Sequence, residues 1–169
     1  LIRVKVVRNA AGPPRWRPTL PPHNGAMPFR DALDNASSLT DPTSQRLVDD
    51  FVLGFIRCEA SAANLALAGH ADDHPYVQAC HAALQMFAES RDAVANAQPH
   101  LARALARAPL ANPREQRFIA AVAAWVAGDL RGAIRLHEAQ AQEFPRDLLS
   151  LKLGQYHCFN LGDCPGMLR

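Results

Sequence analysis

The sequence predicts an all-α fold: antiparallel helical hairpins stacked into a right-handed solenoid. Three observations carry this. The dipeptide Gly128-Asp129 returns as Gly162-Asp163, 34 residues later. Pro145 falls between the two copies, 17 residues after Gly128, where the second helix of a hairpin has to stop. The runs on either side of these markers carry apolar residues at three- and four-residue spacing, the mark of a helix with one buried face.

A 34-residue period with Gly-Asp at the turn and Pro at the end is that of the tetratricopeptide (TPR) repeat, in which each helix pair buries its apolar face only against its neighbours. Such a period defines how a surface is built and leaves its ligand open.

Composition agrees with one helical domain. Of 169 residues, 49% are hydrophobic and 20% charged, a normal balance for a globular chain. The net charge of +2 conceals an uneven split. Residues 1–26 hold Arg3, Lys5, Arg8, Arg15 and Arg17 and no acid, so removing these five leaves 13 Lys/Arg against 16 Asp/Glu. The body from residue 27 onward is therefore mildly acidic, and no basic helix face points to nucleic acid. No run approaches the roughly 18 apolar residues of a membrane span, and Leu1–Val7 is too short and too charged for a signal-peptide core. The cytoplasm is the expected compartment. Cys58, Cys80, Cys158 and Cys164 lack Cys-x-x-Cys spacing and are expected to be buried free thiols.

Residues 1–26 are expected to be a disordered or non-native basic, Pro-rich extension, since Pro13, Pro14, Pro18, Pro21 and Pro22 follow the strand-like LIRVKVV and prevent regular structure. Met27 is the expected natural start, and residues 27–169 form the TPR-like domain. Asp41-Pro42 opens a helix, with Asp as cap and Pro in the first turn. Leu47, Val48, Phe51, Val52, Phe55 and Ile56 form its apolar stripe. A second helix is expected over about 60–68, ended by Gly69, and a third after Asp72, Asp73 and Pro75. Pro99 predicts a break or kink near Gln98 in the next helical run, because proline removes a backbone donor. Leu101 and Leu105 are expected to face inward beyond it.

Asn112-Pro113-Arg114-Glu115 starts the clearest hairpin. Asn112 can accept from the third helical N–H while Glu115 reaches back to it, a variant of the capping box. Phe118, Val122 and Trp125 line one face. Gly128 supplies a left-handed end and Asp129 caps the following helix, which carries His137 on its apolar side. Asp147 opens the next helix, with apolar positions expected at Leu148, Leu151, Tyr156, Phe159 and Leu161. The chain ends a few residues into the helix after Gly162-Asp163, so a repeat protein truncated at its C-terminal end is expected.

Four motifs carry a family resemblance: Pro113-Arg114-Glu115, Ala127-Gly128-Asp129, Phe144-Pro145-Arg146-Asp147 with Leu151 to His157 after it, and Asn160-Leu161-Gly162-Asp163. With these, the chain from Met27 onward resembles the family of tetratricopeptide repeat protein 38 and its bacterial relatives. The resemblance is specific over about the last 60 residues and looser over residues 27–110. It implies an all-helical TPR-like protein of much greater length, and no catalytic residues to carry over. Two departures limit the register: the large aromatic of the generic first helix falls on Arg117, and Gly154 and Gly162 are eight apart instead of seven.

In a TPR array the first helix of each hairpin lines the concave groove. The register from the two Gly-Asp turns assigns Glu115, Phe118, Val122 and Trp125 to it, then Leu149, Lys152, Tyr156 and Asn160. Lys152, Tyr156 and Asn160 stand four apart, a polar and aromatic stripe able to hold a peptide carboxylate or backbone amides. The alternative is that Phe118, Trp125 and Tyr156 pack internally. His70, His74, Asp72, Asp73 and Cys80-His81 raise a metal hypothesis, countered by a stretch that reads as a loop. Adjacent His157 and Cys158 point about 100° apart on a helix and do not pair as nucleophile and base. No cofactor, metal or catalytic site is expected. The expected function is a scaffold that binds a protein or peptide through its concave groove. The alternative is part of an enzyme or metal protein whose site is completed by further C-terminal repeats.

Overall fold

The computed structural model describes residues 29–67 and 72–168, so the Pro-rich residues 1–26, His70 and Gly69 lie outside the described residues. A two-residue antiparallel ribbon comes first: β1 (Phe29–Arg30) pairs with β2 (Ala36–Ser37). Seven α-helices follow among the described residues: α1 (Pro42–Arg57), α2 (Asn64–Leu67), α3 (Pro75–Phe87), α4 (Ala93–Ala106), α5 (Pro113–Val126), α6 (Leu130–Glu143) and α7 (Leu148–Asn160). The described chain is all-α in class, built of packed helix pairs. α3 pairs with α4, α5 with α6 and α6 with α7, while α5 also packs on α3 and α4. None of these helices is long and apolar enough to cross a membrane.

The helix starts follow local chemistry. Asp41, Asp129 and Asp147 each accept from the N–H three residues on, at 2.8, 2.8 and 3.1 Å. Such caps satisfy donors that no helical partner can reach. Asn112 and Glu115 form the reciprocal capping box, with bonds of 3.0 and 3.1 Å. The start of α3 differs from expectation in its cap: His74 Nδ1 accepts from Tyr76 N at 3.3 Å, and Asp72 instead receives His74 N at 2.7 Å.

The two Gly-Asp turns close alike. Gly128 N donates to Trp125 O and Asp129 N to Ala124 O; Gly162 N donates to Phe159 O and Asp163 N to Cys158 O, all at 2.8–2.9 Å. Both glycines are left-handed, at φ 80° and 68°, a region that costs a side chain energy. Asp129 caps Gly132 N, and Asp163 caps Gly166 N. Every one of these bonds repeats at an offset of 34.

Five expectations are corrected. α4 is one helix through Pro99. The penalty of a mid-helix proline is offset because Ala97, Leu101 and Ala104 are buried on the side α4 packs on α3, while Pro99 itself is exposed. Leu105 is 50% exposed rather than inward. The stretch after α1 is a 3-10 turn, Ala60–Ala63, leading into the single-turn α2 rather than one helix. On α7 the buried residues are Leu149, Ser150, Leu153, Gly154, His157 and Cys158, while Leu148, Leu151, Phe159 and, just past the helix, Leu161 are exposed. The thiols are free, but only Cys80 and Cys158 are buried; Cys58 and Cys164 are exposed.

Candidate functional site

The N-terminal ends of α5 and α7 meet at a buried polar knot. Arg114, on the first turn of α5, has a side chain 4% exposed and lies 3.2 Å from both Asp31 and Asp147. Its guanidinium also stands 5.3 Å from the centre of the Tyr76 ring, a cation–π contact. Gln140 of α6 completes the knot, donating to Asp147 at 2.8 Å and to the Arg114 carbonyl at 2.9 Å. The ribbon segment is stitched to the same place. Glu115, 0% exposed, receives Ser38 N at 3.0 Å and the Ser38 hydroxyl, and Asn35 donates to Asp31 and to the Arg146 carbonyl. Asn35 is thus buried. Burial pushes the Tyr76 phenol well above its ordinary pKa, with Arg114 opposing.

The expected groove residues form a connected layer, yet most of them are covered. Glu115, Phe118, Val122 and Trp125 are 0%, 1%, 1% and 6% exposed. Their cover is the helices packed on α5, which are α3, α4 and α6: the Phe118 ring meets Tyr76 and His137, and the Trp125 ring meets Tyr156 and His157 of α7. An open groove at these four positions is therefore corrected to a closed interior. The reason is that the large apolar face of α5 is best buried against its neighbours.

Lys152 is half-buried and anchors α1. Its ammonium donates to the carbonyls of Phe55 and Ile56 at 2.7 and 2.8 Å, at the C-terminal end of α1. It lies 5.3 Å from the Phe55 ring centre and 3.2 Å from Cys58 Sγ. A cation there satisfies orphan carbonyls and the negative end of the helix dipole. Lys152→Ala is expected to lower stability by about 1.5–3 kcal/mol, the range for a hydrogen bond to a charged group. Chemical denaturation checks this; an unchanged midpoint would place Lys152 outside the α1 anchor.

The accessible end of the stripe is smaller. Tyr156 is half-buried, its hydroxyl donating to Glu89; burial and that bond raise its pKa. Its ring lies 5.1 Å from Phe87 and 5.9 Å from Trp125. Asn160 is exposed. Phe87, read from the sequence as an apolar position of the third helix, is 40% exposed, and Glu89, at φ 49°, was not singled out. Only the tertiary fold brings the end of α3 and the residues after it beside Tyr156.

The histidines are packed rather than gathered. His74 is half-buried between its own helix start and Ser38, 3.2 Å from Nε2, and burial lowers its pKa. His81 stacks on His100 at 4.9 Å. Among the described residues no group of three or more His, Cys, Asp or Glu is placed to hold a metal. His137, as expected, is core: its Nδ1 lies 2.6 Å from Ser150 Oγ. His157 is 0% exposed, wedged between Trp125 and His137 at ring separations of 4.7 and 5.5 Å. Neither of its ring nitrogens has a hydrogen-bond partner.

The fold and site thus define an all-α protein of packed helix pairs with a closed aromatic interior and an open rim. No family model matches the chain, and neither a curated protein nor a solved structure is similar to it.

Proposed function

We propose that this chain is a TPR-type helical-repeat scaffold, related to the tetratricopeptide repeat protein 38 family, that binds a protein or peptide without carrying out a reaction. The observation that supports it is the repetition of one hairpin closure, bond for bond, at a 34-residue offset. Since Glu115, Phe118, Val122 and Trp125 are buried, the contact surface in this reading is the rim of Phe87, Glu89, Tyr156 and Asn160. An aromatic edge beside a carboxylate, a phenol and a carboxamide suits an extended peptide: the rings take an apolar side chain and the polar groups take backbone amides.

Selection of a random peptide library on the purified chain tests this. Selected peptides are expected to lose about tenfold or more in affinity on the Phe87→Ala/Asn160→Ala variant, the loss of a contact worth ~1.4 kcal/mol. Because the Phe87 ring also packs on Phe55 and Tyr156, affinities are compared at a temperature where both proteins are fully folded. Equal affinity for both proteins rules out this rim, and a library that yields no binder argues against peptide binding.

A further inference from the structure

The end of α3 breaks two local rules at one exposed residue. Glu89 stands just past the helix at φ 49°, a conformation that favours glycine because any side chain is strained there. It also sets a carboxylate at the negative end of the helix dipole, where a cation is favoured. The last turn of α3 holds no basic residue to offset it. The carboxylate accepts from the Tyr156 hydroxyl at Oε1, and no cation among the described residues pairs with it.

The end of α1 shows the contrast. Its last turn carries Arg57, and the Lys152 ammonium donates to the Phe55 and Ile56 carbonyls there. The negative end of α1 is answered by cations of the chain itself, and that of α3 is not. Lys152, bound to α1, is thereby withdrawn from any ligand carboxylate. A strained residue that its own fold does not repay is a sign of function.

The rings beside Glu89 favour the same charge. Phe87 is held at 4.7 Å by Phe55 and at 5.1 Å by Tyr156, and 40% of it stays exposed. Trp125 backs Tyr156 at 5.9 Å. Rings fixed in this way lose little freedom when a ligand arrives, and an aromatic face attracts a cation.

We infer that the rim takes a basic side chain of its peptide, best an arginine, with the guanidinium against the exposed Phe87 ring and bonded to the Glu89 carboxylate. Arginine fits better than lysine because its planar group stacks on a ring and donates sideways at once. This rests on the peptide-binding reading and gives the peptide its charge.

Peptides selected from the random library are expected to share one arginine or lysine. A selected peptide is then made with citrulline, a neutral isostere, in place of that arginine, or norleucine in place of lysine. Its affinity should fall about fivefold or more. The original peptide should lose as much on Glu89→Gln, which keeps the volume and an acceptor for Tyr156. Added salt should weaken the original peptide on the unaltered chain and hardly affect it on Glu89→Gln. The change in the peptide leaves the protein untouched, so a Glu89→Gln chain that fails to fold does not shield the inference. Selected peptides without a basic residue, or equal binding after its neutralisation, overturn the inference and leave peptide binding standing. A citrulline loss that a folded Glu89→Gln chain does not share places the arginine elsewhere and also overturns it. A library that yields no binder overturns both.

Discussion

Arg114→Met is expected to destabilise the fold by about 3–5 kcal/mol, the cost of breaking a buried ion pair by removing one partner. The substitution keeps most of the side-chain volume, so the loss is electrostatic. It strands Asp31 and Asp147, whose side chains are 4% and 2% exposed, in a place where no water can replace the guanidinium. It also removes the cation from the Tyr76 face. Against a total stability of about 5–15 kcal/mol for a domain, this is a large fraction. Arg114→Lys is expected to help little, because one ammonium cannot reach two carboxylates in the fork geometry of a guanidinium. Urea denaturation measures the change, and Arg114→Met/Asp31→Asn should recover part of it by deleting one stranded charge. A loss below about 1 kcal/mol for Arg114→Met would mean that the knot contributes little.

The second large effect is acid sensitivity. An unfolded histidine titrates near 6.5. In the fold, burial lowers His157 to about 4, and burial together with the charge of His157 lowers His137 to about 3. Between these values the unfolded chain binds protons that the folded chain excludes. Stability is therefore complete above pH 6.5 and falls as the pH drops toward 4 and then 3, by at most ~1.4 kcal/mol per pH unit for each histidine. Melting temperatures at pH 7, 5.5 and 4.5 should decline steadily. His157→Phe, which keeps a ring between Trp125 and His137, should flatten that decline. A wild-type melting temperature constant down to pH 4.5 would contradict the burial of both imidazoles.

Much of the fold was legible because its signals are local. The aspartate caps at 41, 129 and 147, the Asn112–Glu115 box and the two left-handed glycines each involve groups within five residues, so composition and spacing reveal them. Pro99 misled for the opposite reason. Its cost is local, but the packing of Ala97, Leu101 and Ala104 against α3 that outweighs it is not. The register of α7 failed similarly: a helix with apolar residues spread round its circumference offers little contrast between inside and outside, and only α1 and α6 decide that Leu149 and Leu153 are covered while Leu148 and Leu151 are not.

The candidate site was less legible than the fold. Lys152, Tyr156 and Asn160 share a helix face by spacing alone, but spacing cannot show that the α1 carbonyls claim Lys152 or that Glu89, 67 residues away, claims Tyr156. Phe87 and Glu89 carry no motif at all.

What the sequence by itself determined is the hairpin: where each helix starts, where it turns, and that the turn at Gly128-Asp129 is made again at Gly162-Asp163. The physical reason is that caps and left-handed turns satisfy backbone groups with neighbours in the chain. What only the tertiary structure decided is which faces are spent inside. Apolar burial is non-directional, so the apolar faces of α1, α3, α5 and α7 are each amphipathic surfaces to the sequence, and which of them close on one another is settled by shape once the helices are brought together.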